Sequence, residues 1–149
     1  MPNFIVLFAP QVVDDVLGRY RSVGRGFFKS DLEMDETVRA SANGAVCYGI
    51  VRHDQAGIIS ALLVIPTAAP RATLHQCIVE EMSQALGLFN DSDAAQSSIF
   101  NDHSPYVDLT EQDQIMLRLL YDRRLTPGMT EVEATPILQK ILAELRPGT

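Results

Sequence analysis

The stretch Val79-Glu80-Glu81-Met82-Ser83-Gln84-Ala85-Leu86-Gly87-Leu88-Phe89-Asn90-Asp91 governs how the rest of the chain is read. Leu74, Ile78, Met82, Ala85 and Leu86 recur at i, i+4, i+8, i+11 and i+12, the period of a helix buried along one side. The spacing predicts a helix over 70–88. Glu80 and Gln84 are four residues apart and project from one face, with Glu81 beside them. Gly87 stands near the helix end, where a left-handed residue is common and glycine adopts it without a Cβ penalty. Glu81 with Gln84 has the chemistry to hold a water for general-base hydrolysis. If Glu80 and Glu81 are both buried, they cannot both ionise cheaply. The competing reading of the same residues is a solvated polar face of an amphipathic helix.

Outward from this helix, the chain divides into short elements. Residues 3–8 form an apolar run closed by Ala9-Pro10, the pattern of a buried strand. Residues 10–28 carry Val12, Val13, Val16, Leu17 and Tyr20 at helical spacing until Gly24 and Gly26 interrupt them. Residues 30–41 read as either a short helix or a loop. Residues 45–51 and 58–65 are two β-rich runs, and His53-Asp54-Gln55-Ala56-Gly57 between them marks a hairpin turn.

Residues 89–108 are rich in Asn, Asp and Ser and long for an unstructured connection, a length that often accompanies function. Thr110 with Asp113 three residues on, and Thr130 with Glu133, have capping-box spacing and open two further helices, the second reaching about residue 145. A Pro/Gly turn over 123–129 separates them. The order, strand and helix, then hairpin, then helices, predicts a single α+β domain over 1–149.

Composition excludes several functions. The chain has 149 residues, enough to fold around one core without help from a metal or disulfide. Apolar residues make up 46% and charged residues 21%, a balance that rules out wholesale disorder. Twelve Lys and Arg against nineteen Asp and Glu leave a net charge of −7, which argues against nucleic acid as a partner. The densest basic group, Arg19, Arg21, Arg25 and Lys29, is too thin to track phosphates. No run approaches the roughly 18 apolar residues of a membrane span. Cys47 and Cys77 are one disulfide or two buried thiols.

The segment over 79–91 resembles the HExxHxxGxx(H/D) helix of metzincin peptidases, the matrixin type in particular. Glu80 falls on the first ligand position, Glu81 on the general base, Gln84 on the second ligand, Gly87 on the turn glycine and Asn90 on the third ligand. Ser98-Ile99-Phe100 resembles the Met-turn, and Leu109-Thr110 with Asp113 resembles the closing helix of that family. This likeness covers residues 45–121. It implies a zincin-like α+β fold, a small mixed sheet packed on the long helix and followed by C-terminal helices, in which residues 58–65 form an edge strand beside a cleft. Gly87, Asp91, Phe100, Asp102 and His103 would support that cleft.

A closer similarity is to the uncharacterised bacterial domain of unknown function 2927. Its members tend to show a Cys, then Glu-Glu-x-x-Gln-x-Leu-Gly-Leu, Asn-Asp-Ser, Ser-Ile-Phe-Asn-Asp, a Leu-Thr-x-x-Asp helix and an Arg-Leu-x-Pro-Gly-Met turn. Here these are Cys77, residues 80–88, Asn90-Asp91-Ser92, residues 98–102, residues 109–113 and residues 124–129. The resemblance implies an exported bacterial protein whose leader is not in this sequence, and export favours a Cys47–Cys77 disulfide.

The departures from the peptidase pattern point away from catalysis. Zinc binds imidazole nitrogen and thiolate sulfur tightly, whereas Gln84 and Asn90 offer neutral amide oxygens. The expectation is therefore a degenerate metal site without a cofactor, in a pseudo-peptidase that binds a peptide or protein segment by edge-strand pairing along 58–65. The alternative is an atypical hydrolase with Glu81 as base and zinc or another divalent cation held by Glu80 and loop oxygens.

Overall fold

The computed structural model describes residues 3–101 and 103–145, and these fall into two compact units. The first comprises Met1–His53 with Ile58–Phe89, and the second Asp54–Gly57 with Asn90–Thr149.

The first unit is built on a three-stranded mixed sheet of β1 (Phe4–Ala9), β2 (Tyr48–Asp54) and β3 (Gly57–Pro66), in the spatial order β1-β3-β2. β1 runs parallel to β3, with Phe4 opposite Ala61 and Ala9 opposite Pro66. Only two residues separate β2 from β3, a link that antiparallel neighbours alone permit. The expectation that residues 58–65 form an edge strand is corrected here: β3 lies in the middle, paired on both sides. Ala61, Leu62, Leu63, Val64 and Ile65 are all fully buried. A continuous apolar run of this kind marks a strand covered on both faces rather than one bordering solvent. The edges are β1 and β2.

Each sheet face has its own core. Leu62 and Val64 of β3, Leu7 of β1 and Tyr48 and Ile50 of β2 pack with Val16, Phe27, Met34 and Val38. These last four belong to the segment of α1 (Asp14–Leu17), α2 (Arg21–Gly24), a 3-10 turn (Arg25–Phe27) and α3 (Asp31–Ser41). On the other face, Ala61 and Leu63 pack with Phe4, Val6 and Val51 and with Met82 and Ala85 of α4 (Arg71–Ala85). The chain therefore layers helices on both sides of β3.

The single helical pattern over 10–28 is broken in two by Gly18, where a Cβ would meet Asp14 O at 2.8 Å. Residues 30–41, left open between helix and loop, form α3 because Ser30 caps it: its Oγ accepts from Glu33 N at 3.1 Å. Tyr48 Oη donates to Val12 O at 2.8 Å, tying the helical segment to β2.

The second unit holds α5 (Glu111–Leu120) and α6 (Glu131–Leu145). Both expected capping boxes are present: Thr110 with Asp113 opens α5, and Thr130 with Glu133 opens α6. The turn over 123–129 has Gly128 at φ +86, with Gln55 O 3.3 Å from where its Cβ would stand. Arg124 donates to both carboxylate oxygens of Asp122 and of Glu144, pinning the turn to α6. Those hydrogen bonds hold the two carboxyls below their ordinary range.

Candidate functional site

The face that α4 presents to the sheet is set by Cys77, Glu81 and Ala85, at i, i+4 and i+8, exposed by only 2%, 5% and 1%. The apolar stripe expected from the sequence is displaced: Leu74, Ile78 and Met82 are half-buried and Leu86 is exposed. Glu80 and Gln84 are also half-buried. The polar residues are thus not one solvated face, because the carboxylate of Glu81 points inward.

Gly49 on β2 makes this possible. A Cβ at that position would lie 2.8 Å from Glu81 Oε2 and 3.0 Å from Leu63 Cδ2. The sequence reading did not single out Gly49. The signal was a glycine inside a β-rich run, which often marks close approach of another group. Cys47, one residue before β2, is bonded to Cys77, with their Cα atoms 5.9 Å apart. The disulfide thereby fixes α4 to β2 one helical turn from Glu81, and the alternative of two buried thiols is closed.

The helix stops as the sequence predicts. Gly87 has φ +120 and donates to Gln84 O at 2.9 Å. Beyond it, Phe89 stacks on His53 with ring centroids 5.4 Å apart.

The remaining candidates belong to the second unit. Asn90 and Asp91 are exposed, and Asp102 lies outside the described residues. The His103 side chain is solvated, with Nε2 3.8 Å from Asp93 Oδ1. Phe100 is buried, its N–H donating to Ser98 Oγ at 3.0 Å. Around it lies a network organised on Asp113. The fully buried Asp113 carboxylate accepts from Ser98 Oγ at 2.5 Å, Ile99 N at 3.2 Å and Thr110 N at 2.9 Å. Ser104 Oγ donates to Ser98 O and Thr110 Oγ1 to Ser97 O, closing the loop onto the start of α5. Sequence reasoning recognised Asp113 as a cap but missed its second task, since a capping box says nothing about what meets the other carboxylate oxygen.

Of the positions that the peptidase resemblance implies for a metal, Glu80 and Gln84 belong to the first unit and Asn90 to the second. Among the described residues, no three His, Cys, Asp or Glu side chains converge as a metal site requires. With two amides in place of imidazoles, this donor set does not fit zinc.

The sheet offers two outer edges. β2 carries Arg52, His53 and Asp54, and Arg52 Nη1 donates to Phe27 O at 2.9 Å. β1 is different: its residues, Phe4-Ile5-Val6-Leu7-Phe8-Ala9, include no charge. Asn3 O accepts from Ala61 N at 2.8 Å and Ala9 O from Thr67 N at 3.0 Å. Odd-numbered residues therefore face β3, and strand alternation turns the N–H and C=O of Phe4, Val6 and Phe8 outward. Among the described residues no other strand pairs with this edge.

A family model described as protein of unknown function (DUF2927) matches residues 2–140. No curated protein and no solved structure matches the chain.

Proposed function

The chain belongs to the DUF2927 family, and we propose that it is a non-catalytic module that binds an extended peptide or protein segment at the outer edge of β1. The observation that carries this reading is the uncharged edge itself, with Phe4, Val6 and Phe8 turning their backbone groups away from β3. Proteins ordinarily guard such an edge with charges, prolines or bulges, because unpaired N–H and C=O groups template another strand. The side chain that a hydrolase would use as base is packed against β2 at Gly49, a placement that suits a structural role. We further read the domain as a degenerate, zincin-like relative of matrixin peptidases, a reading that rests on the motifs around Glu80, Glu81, Gln84, Gly87 and Asn90. The Cys47–Cys77 bond agrees with an exported, oxidising location, where such bonds persist.

The test is selection of peptides from a display library on the folded chain. Binders should be extended and apolar at alternate positions, should be lost in Val6→Pro and should be kept in Glu81→Gln. Peptide turnover abolished by Glu81→Gln would instead favour the hydrolase. Binders indifferent to Val6→Pro would remove the edge from the reading.

A further inference from the structure

We infer that the segment taken up by β1 is β1 of a second copy of this chain, paired antiparallel about a two-fold axis at Val6. The inference rests on the edge reading above and specifies its partner. Three features of the strand carry it.

The first is hydrogen-bond parity. Antiparallel strands exchange both bonds between residues whose backbone groups face each other. On β1 those residues are Phe4, Val6 and Phe8. An axis at Val6 sets Val6 opposite Val6 of the second copy, and Phe4 opposite its Phe8. Every outward group then meets an outward group, each pair exchanging two bonds. An axis at Ile5 or Leu7 keeps this parity but joins only Phe4 with Val6, or only Val6 with Phe8; the axis at Val6 engages all three outward residues.

The second is the sequence itself. Phe4-Ile5-Val6-Leu7-Phe8 reads nearly the same in both directions, aromatic at its ends and aliphatic within. Self-pairing of this stretch places aromatic against aromatic and aliphatic against aliphatic, with no like charges apposed. A two-fold interface requires such self-complementarity of one patch.

The third is exposure. Phe4 and Val6 pack against the Ala61, Leu63 and Ala85 cluster. Phe8 shares their side of the strand but is 49% exposed. In the paired arrangement its ring lies beside Phe4 of the second copy, which lies on the same face. The joined sheet runs β2-β3-β1-β1-β3-β2, and the open edges become those of β2, which already carry charge.

Sedimentation equilibrium on the full chain, with cross-linking, tests this. The wild type should be a dimer. Phe8→Lys, at a half-exposed site, should raise the dissociation constant about tenfold or more while leaving far-ultraviolet circular dichroism unchanged. Val6→Pro, which removes an outward N–H and no bond to β3, should do the same. Val6→Cys should form a disulfide-linked dimer under mild oxidation, since facing Cα atoms in such a pair lie about 5.5 Å apart. Ile5→Cys, which faces Leu7 of the second copy, should not. A dimer that survives both Phe8→Lys and Val6→Pro, or that links through Ile5→Cys instead, overturns the pairing. A chain monomeric at millimolar concentration whose selected peptides still depend on Val6 overturns self-pairing and leaves the edge reading standing.

Discussion

With no side chain at position 49, the Glu81 carboxylate fits between α4 and β2. Any Cβ there would sit 2.8 Å from Glu81 Oε2 and 3.0 Å from Leu63 Cδ2. Both neighbours are hemmed in, since Leu63 is fully buried and Glu81 nearly so. Gly49→Val should therefore cost about 1–3 kcal/mol through overpacking, read as a lower urea midpoint with an unchanged slope. Tyr48, next to it, offers a test by pH. Burial pushes its phenol well above the ordinary range of tyrosine. A group whose pKa is raised on folding contributes stability below its unfolded value, near 10, and loses it as pH climbs further. Urea midpoints of the wild type should fall above about pH 10, and those of Tyr48→Phe should fall less there. At neutral pH the same variant should be weaker by about 1 kcal/mol, having lost the bond to Val12 O.

Among the elements, α5 shows how a cap can organise more than a helix. Thr110 and Asp113 were legible in the sequence as a capping box, and they form one. The same Asp113 carboxylate also receives Ser98 Oγ and Ile99 N, so the long Asn-rich connection is fastened to the first turn of α5. Removing one donor and removing the acceptor should then differ. Ser98→Ala should cost about 1.5–3 kcal/mol, the range for a hydrogen bond to a charged group. Asp113→Ala should cost more, because it leaves the Ile99 and Thr110 N–H groups and the Ser98 hydroxyl without their acceptor. Equilibrium unfolding of the two variants gives the ranking, and a negligible loss in Ser98→Ala would mean that Asp113 acts only as a cap. The sheet teaches the converse lesson. The three β-rich runs were readable, but which of them lay in the middle was not. A parallel pairing between β1 and β3 joins residues nearly sixty positions apart, and local periodicity carries no record of such a contact.

At the scale of the whole chain, the family match extends over residues 2–140 and so spans both compact units. The first unit is cross-linked by Cys47–Cys77 across a separation of 30 residues. In the chain-entropy account a closed loop of that size stabilises by about 3.6 kcal/mol, chiefly by restricting the unfolded chain. The double variant Cys47→Ala with Cys77→Ala should lose about that much in chemical denaturation. Thiol titration of unfolded, unreduced protein should find no free sulfhydryl, and two reactive thiols would remove the bond from the account.

By itself the sequence determined where the strands and the helices α4, α5 and α6 lie, that α4 stops near Gly87 and which residues cap α5 and α6. These depend on backbone preference, side-chain period and bonds between near neighbours, all written in a few consecutive residues. Tertiary structure alone decided that β3 is central, that Glu81 faces inward over Gly49, that Cys47 meets Cys77 and that Ser98 shares Asp113 with the cap. Each of those facts depends on which distant surfaces bury one another, and burial is a property of the packed layers rather than of any segment within them.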